Sequence, residues 1–211
     1  METNENTDSR PVIVWDVDDV LNNLAFEWFK EFEELHHSGV SYEQLSANPP
    51  DKILGIPLDS YLESLDDFRS RKMSELKPVN AVLEWFHAHG ADFRHAALTA
   101  VPFHFAPLSA QWVMKNFGNW IRSFHFVPSF RKDDNIVAYD KSKADMLKRI
   151  DRVDAFIDDN EFNIAQAGCL GICSIAFPRP WNKNRGMAIS ECLSKLEKLK
   201  TGKGDADEKI V

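Results

Sequence analysis

Hydrophobic and polar positions alternate between two rhythms along the chain. Short apolar runs bounded by polar or turn residues mark buried parallel strands at Val12 to Trp15 ("VIVW"), His95 to Leu98 (in "HAALTA") and Val153 to Ile157 (in "VDAFIDD"). Fainter runs of the same kind occur at Ser123 to Pro128 ("SFHFVP") and Gly171 to Phe177 ("GICSIAF"). Between them the apolar spacing changes to the helical period in "NAVLEWFHAHG", "APLSAQWVMKNFG" and "KSKADMLKRI", the first two ending on Gly90 and Gly118. Strands alternating with helices of this length predict a doubly wound, Rossmann-like α/β sheet.

One interval breaks the alternation. From Asn22 to about Pro78 the pattern is helical only: "LAFEWFKEFEELHHSG", a turn "NPPDKILGIP", then "SYLESLDDFRSRKMSEL". The predicted organisation is therefore an α/β core from residues 11–21 and 81–200, with a small helical cap from 22–80 inserted after the first strand. The ends, 1–10 and 201–211, are polar and charged and read as flexible tails.

Composition narrows the function classes. A chain of 211 residues with 44% hydrophobic residues builds one substantial core. Its formal charge of −8 disfavours a nucleic-acid polymer as partner, because neutralising a phosphate backbone takes clustered Lys and Arg. A small phosphorylated ligand needs only one local basic pocket. The start, "METNENTDSR", has neither the basic opening nor the apolar core of a signal peptide, and no apolar run reaches the roughly 20 residues that span a bilayer. Cys169, Cys173 and Cys192 form no disulfide framework and no CxxC pair. A reducing cytoplasmic location without membrane contact is the expectation, with Cys169 and Cys173 as buried thiols.

The candidate chemistry sits at the strand ends. Asp16, Asp18 and Asp19 follow the first strand, Thr99 and Ala100 end the second, Lys141 and Lys143 open a later helix, and Asp158 and Asp159 end the strand after it. Ligands of an open parallel sheet bind at the carboxyl ends of its strands, so these segments are expected to meet in one crevice. Clustered carboxylates repel, and a hard cation with oxygen ligands relieves them; Mg²⁺ suits one or two carboxylates, water and a phosphate oxygen. A lysine and a hydroxyl beside such an ion suit phosphoryl chemistry.

These residues match a family. "VIVWDVDDVL" resembles the first motif of the haloacid dehalogenase (HAD) superfamily, and "AALT", the lysine of "DKSKADML" and "AFIDDN" resemble its second, third and fourth motifs in the right order, from Val12 to Phe177. The resemblance implies Asp16 as nucleophile, forming an aspartyl-phosphate, and Asp18 as the acid and base, with its backbone carbonyl on Mg²⁺. It further implies Thr99 on the phosphoryl oxygens, Lys143 or Lys141 on nucleophile and phosphate, and Asp158 and Asp159 completing the metal site. An acid at Asp18 matches the phosphatase branch, since the name-giving dehalogenases lack an acid there. A narrower resemblance, to the 5′(3′)-deoxyribonucleotidases, rests on "DVDDVL", "LTAVP", "QWVMKNFG", "DKS", "FIDDN" and "RPWN"; Asp19 stands where that branch usually carries glycine.

The expected activity is Mg²⁺-dependent hydrolysis of a small soluble phosphomonoester, with a nucleoside monophosphate as the best single substrate. Asn22, Phe26 and His104 are candidate substrate contacts beside Ala100; Phe26 belongs to an aromatic stripe with Trp28, Phe29 and Phe32 that also reads as core. "RPWNKNRG" reads either as a phosphate-steering cluster or as a solvated loop. His36, His37, His87 and His89 are not spaced as metal ligands. Two rivals stay open: a catalytically silent HAD-like binding or regulatory protein, and a receiver-like phosphoacceptor module. The latter needs an acceptor aspartate after a middle strand, where this chain has "NPPDKILG".

Overall fold

The computed structural model describes residues 8–129, 131, 137 and 139–201; most of both expected tails lies outside the described residues. Five strands form one all-parallel sheet: β1 (Val12–Trp15), β2 (Arg94–Val101), β3 (Ile121–Pro128), β4 (Ala155–Asp158) and β5 (Cys173–Ala176), in the order β3-β2-β1-β4-β5. The order reverses between β1 and β4, which makes their carboxyl ends the switch point where such sheets bind ligands.

Alternation along β1 assigns its residues to two packed faces. Ile13 and Trp15 join the larger core with Trp85 and Phe86 of α4 (Asn80–His89), Trp112, Val113 and Phe117 of α5 (Ala106–Phe117), and Leu193 and Leu196 of α8 (Ile189–Glu197). Val14 faces the other way with Ala96, Leu98 and Phe156, covered by Leu147 of α6 (Lys143–Leu147) and Ala167 of α7 (Glu161–Cys169). Helices thus cover both faces, the architecture that the strand and helix rhythm predicts. Gly90 does stop α4, but at φ −58° its value lies in close approach rather than in left-handed freedom: a Cβ there would stand 2.6 Å from the Trp120 ring.

Between β1 and α4 the chain is helical: α1 (Leu24–His36), a short α2 (Asp51–Leu54) and α3 (Leu58–Lys72), with 3₁₀ turns between and after them. Asp51, in the stretch a receiver-like reading would need as a strand end, opens α2 instead. The excursion closes where it began, by an antiparallel bridge between Asn22 and Pro78 and a hydrogen bond from the Val79 amide to the Leu21 carbonyl at 2.9 Å. Trp28, Phe29 and Phe32 of α1 are buried against Tyr61, Leu65 and Phe68 of α3, so the aromatic stripe is core. Among the described residues no helix is long and apolar enough to cross a membrane.

One expectation about side chains is corrected by the structure. Cys169 and Cys173 are exposed and only Cys192 is buried: Cys169 ends α7, and Cys173 begins β5, an edge strand. His95 is a core histidine whose Nδ1 accepts from the Trp15 indole at 3.0 Å and whose Nε2 lies 2.9 Å from the Gly90 carbonyl, the geometry of a neutral ring donating from Nε2. Burial lowers its pKa from 6.5 to about 4. The folded state then resists a proton that the unfolded chain accepts, so stability falls as pH drops through that window, by up to about 3 kcal/mol between pH 7 and 4. Urea titrations of the wild type and His95→Gln across these pH values measure it; the wild-type loss is expected to exceed the variant's by about that amount, and parallel curves would contradict the assignment.

Candidate active site

The carboxyl ends of β1 and β4 bring three acids together. One carboxylate oxygen each from Asp16, Asp158 and Asp159 lies within 4.8 Å of the others, and all three side chains are buried. Lys143, only 4% exposed, enters between two of them: its Nζ is 2.6 Å from Asp16 Oδ1 and 2.7 Å from Asp158 Oδ2. Its approach is set by local capping. The Ser142 hydroxyl accepts from the Asp145 amide at 3.2 Å and donates to Asp145 Oδ2 at 3.0 Å, which makes Lys143 the first residue of α6. Lys141 precedes the cap and is exposed. Lys143 is thus the lysine that reaches the acids.

The electrostatics of the cluster are unbalanced. Burial drives the Asp16 carboxyl well above the ordinary carboxylate range; the Lys143 charge opposes this, while Asp158 and Asp159 add to it. Asp159 is pushed up to about 6, first by burial and then by the charge of Asp158. Burial alone would lower the Lys143 pKa, but Asp158 and Asp16 outweigh it and hold the ammonium charged beyond its usual range. Three buried carboxylates face one ammonium, and all the remaining donors are oxygens. That donor set fits a hard divalent cation such as Mg²⁺, which would relieve the residual repulsion.

Asp158 and Asp159 divide the work. Asp158 is fully buried; besides Lys143, its oxygens accept from the Asn160 amide at 2.8 Å and from the Asn163 side chain at 3.1 and 3.2 Å. Asp159 lines the adjoining cavity, and its Oδ2 accepts from the Trp181 indole at 2.7 Å. Asp159 is therefore the acid of the pair that faces open space.

Asp19 lines the adjoining cavity and also ties the scaffold together. Its φ of +62° is a left-handed conformation that few non-glycine residues take, which gives a physical reason for glycine at this position in similar sequences. The conformation is held by its surroundings. Its Oδ1 accepts from the Ala25 amide in the first turn of α1 at 3.0 Å, its own amide donates to Asn22 Oδ1 at 3.2 Å, and its carbonyl accepts from Arg179 Nε at 2.6 Å. Burial raises the Asp19 pKa to about 7, against the opposing charge of Arg179.

The loop after β5 is solvated only in its second half, where Lys183, Arg185 and Gly186 are exposed; its first half is built into the structure. Arg179 is buried and also donates to the Asn22 carbonyl at 3.2 Å and to Asn23 Oδ1 at 2.8 Å, pinning the start of the helical insertion. Asn182 donates to the carbonyls of Asp159 and Phe177 at 2.8 and 2.7 Å. With Trp181 on Asp159, this segment braces the acidic turns from behind. Arg, Trp and Asn crowded after an apolar strand were its only signal.

A cavity of about 220 Å³ opens on the cluster, lined on the core side by Asp16, Asp18, Thr99, Ala100, Lys143 and Asp159 and on the insertion side by Tyr61, Leu65 and Arg69. Thr99 is buried and Ala100 exposed at its wall. Asp18 points toward the insertion: Oδ2 pairs with Arg69 Nη2 at 3.0 Å and Oδ1 accepts from Asn22 Nδ2 at 3.1 Å. Asn22 is fully buried and shapes the turn rather than lining the cavity. Phe26 packs edge-on against Tyr42, with ring centroids 4.9 Å apart, and His104 is exposed beside Phe105; neither is among the cavity-lining residues. Arg69 escapes a sequence reading because "DDFRSRK" has the composition of a solvated helix face.

No protein-family model matches the sequence, and no curated protein matches it. Solved structures do. A haloacid dehalogenase-like hydrolase from Streptococcus pneumoniae superposes with a TM-score of 0.55 at 14% identity, covering 90% of this chain and 98% of its own. A HAD-superfamily hydrolase of subfamily IA from Geobacter sulfurreducens gives 0.53 at 12% identity, over 89% and 96% of the two chains. Protein tyrosine kinase A from Mycobacterium tuberculosis gives 0.55 at 14% identity, over 86% and 89%. Hydrolases and a kinase thus share this architecture, so the architecture alone does not choose a reaction. What the likeness does establish is the fold: this chain has the Rossmann-type α/β fold of the HAD-like hydrolases.

Proposed function

We propose that the protein is a Mg²⁺-dependent phosphohydrolase that cleaves a small soluble phosphomonoester through an aspartyl-phosphate on Asp16. The observation that carries this reading is Lys143 Nζ bridging Asp16 and Asp158 at 2.6 and 2.7 Å at the switch point of the sheet. Asp16, Asp159 and the backbone carbonyl of Asp18 would hold the Mg²⁺, which when bound offsets the negative charge of the carboxylates and the phosphoryl group.

In the proposed reaction, an Asp16 carboxylate oxygen attacks phosphorus and the P–O bond to the alcohol breaks. A proton from Asp18 goes to the departing oxygen. Lys143 keeps Asp16 oriented and stabilises charge on the phosphoryl oxygens, and the Thr99 hydroxyl donates to one of them. Asp18, now a carboxylate, takes a proton from water; the resulting hydroxide attacks phosphorus, and the bond to Asp16 breaks. Phosphate and the alcohol leave, and both aspartates return to their starting states. The helical insertion would act as a cap that excludes bulk water and selects the leaving group. A nucleoside monophosphate remains the substrate that the narrower sequence resemblance favours.

A broad phosphomonoester panel, with and without Mg²⁺, tests this reading. Release of phosphate that requires the cation is expected; no release from any ester would instead support a silent binding protein. Metal titration followed by calorimetry adds a second readout. Trp181→Phe removes the hydrogen bond to Asp159 while keeping an aromatic ring, so the affinity for Mg²⁺ is expected to fall roughly 10- to 100-fold. Unchanged affinity would show that Asp159 needs no such support.

A further inference from the structure

Asp18 has a competing attachment that the proposed reaction must break. Its carboxylate is held by Arg69, whose side chain is only 5% exposed, and Arg69 also donates to Asp66 Oδ1 from Nη1 at 2.9 Å. Arg131, reaching in from beyond β3, shares that carboxylate: its Nε is 2.7 Å from Asp66 Oδ2 and its Nη2 is 2.9 Å from Oδ1. Arg69 and Arg131 both line the 220 Å³ cavity. Two guanidiniums gathered on one carboxylate therefore form the wall of the cavity reached from α3 and the β3 loop.

Arg69 is poorly suited to losing a partner. It is buried, its Nε has no hydrogen-bond partner, and its guanidinium carbon lies 5.6 Å from the centroid of the Phe105 ring. Were Asp18 to turn toward a leaving-group oxygen, Arg69 would keep a buried charge with only Asp66 against it, an arrangement that costs free energy unless a second anion arrives. The cavity is also smaller than the roughly 300–1,000 Å³ typical of pockets for drug-sized ligands, so that anion must sit close to the ester.

We infer that the substrate is a small phosphomonoester carrying a second anionic group, a carboxylate or a second phosphoryl, which takes Asp18's place on Arg69 beside Arg131 and frees the Asp18 carboxylate to take up a proton from solvent and pass it to the leaving oxygen. This rests on the phosphohydrolase reading and narrows it to a substrate other than the nucleoside monophosphate that the sequence resemblance favours. One carboxylate replaces another on the same guanidinium, so the wall keeps its charge balance while Asp18 is released. A phosphomonoester of the same size without a second anionic group would leave Asp18 paired with Arg69.

The test compares 2-phosphoglycolate with its uncharged amide in the wild-type protein, an experiment that needs no variant to fold. A charge-assisted pair gained only by the acid is expected to give it a kcat/KM about 10- to 100-fold above the amide. In Arg69→Gln that ratio is expected to shrink toward one, and Arg69→Lys, which keeps the charge without the planar fork, should recover part of it. Hydrolysis of acid and amide at equal kcat/KM, or an undiminished ratio in Arg69→Gln, would overturn the inference and leave the phosphohydrolase reading standing. Preference for nucleoside monophosphates over both would overturn it as well. Failure to hydrolyse any phosphomonoester would remove the phosphohydrolase reading and the inference together.

Discussion

Asp16→Asn is expected to lower Mg²⁺-dependent hydrolysis of phosphomonoesters by at least about 10³-fold while leaving the fold intact. The loss follows from chemistry: an amide oxygen is a far poorer nucleophile toward phosphorus than a carboxylate, and removing a nucleophile costs the whole covalent route. Preservation of the fold follows from the surroundings. Asp16 Oδ1 accepts from the Val17 amide at 2.7 Å and faces Lys143, roles that an amide oxygen also fills. The substitution removes one of three crowded buried charges rather than adding one. Rates on an aryl phosphomonoester, with circular dichroism as the folding control, decide it; activity within about tenfold of wild type in a folded variant would remove Asp16 from the nucleophile's role.

The second large effect concerns stability rather than rate. Lys143→Met deletes the one ammonium between Asp16 and Asp158 and leaves three carboxylates buried within 4.8 Å. Breaking a buried ion pair by removing one partner typically costs about 3–5 kcal/mol, because the remaining charge keeps its desolvation penalty. That loss is expected in the presence of a chelator. Mg²⁺ should return part of it, since a ligand that binds only the folded state at 100 times its Kd contributes about 2.7 kcal/mol. Denaturant titrations of wild type and variant, with chelator and with excess Mg²⁺, separate the two terms. A variant as stable as wild type under chelation would mean that the acids are not charged together in the folded state.

The two effects bear on different links of the argument. The stability result depends on burial and charge alone and would hold in a protein that only binds a ligand. The rate result requires chemistry at the same residues. A protein that met the stability expectation and failed the rate expectation would be a silent member of the fold.

Much of this was legible in the sequence, for reasons that can be stated residue by residue. Strands buried on both faces read as uninterrupted apolar runs, so "VIVW" appeared with its true bounds. The acids that follow it, and those at the end of β4, were legible because ligand sites in parallel sheets gather at strand ends. What escaped was contact across long sequence separation. Nothing around Arg69 announces that it meets Asp18, 51 residues earlier. Arg179 and Asp19 are 160 residues apart, and only the fold reveals that one braces the other. Lys141 and Lys143 differ by two residues and were distinguishable only through the Ser142 cap with Asp145 three residues on, a local signal that the lysine-centred reading passed over. Phe26 and His104 looked like substrate contacts from their nearness in sequence to Asp16 and Thr99, but helix and loop geometry turn both away from the cavity wall.

Asp19 shows how a departure from a motif is accommodated. A left-handed residue without glycine's freedom carries a strain of order 1–3 kcal/mol, and it persists where surrounding bonds over-determine it. Here the side chain itself provides one of those bonds, to the Ala25 amide of α1, tying the acidic turn to the helical insertion.

Trapping the phosphorylated enzyme tests the nucleophilic role of Asp16. Asp18→Asn removes the group proposed to activate water, and an ester of p-nitrophenol needs no proton on its leaving group. The first half-reaction should therefore proceed in this variant while the second stalls. Acid quenching of Asp18→Asn after reaction with ³²P-labelled p-nitrophenyl phosphate and Mg²⁺, followed by peptide mapping, is expected to place an acid-stable, hydroxylamine-labile label on Asp16, with a matching burst of nitrophenol. A nitrophenol burst with no label on the protein, or with the label on any residue other than Asp16, would rule out an aspartyl-phosphate on Asp16.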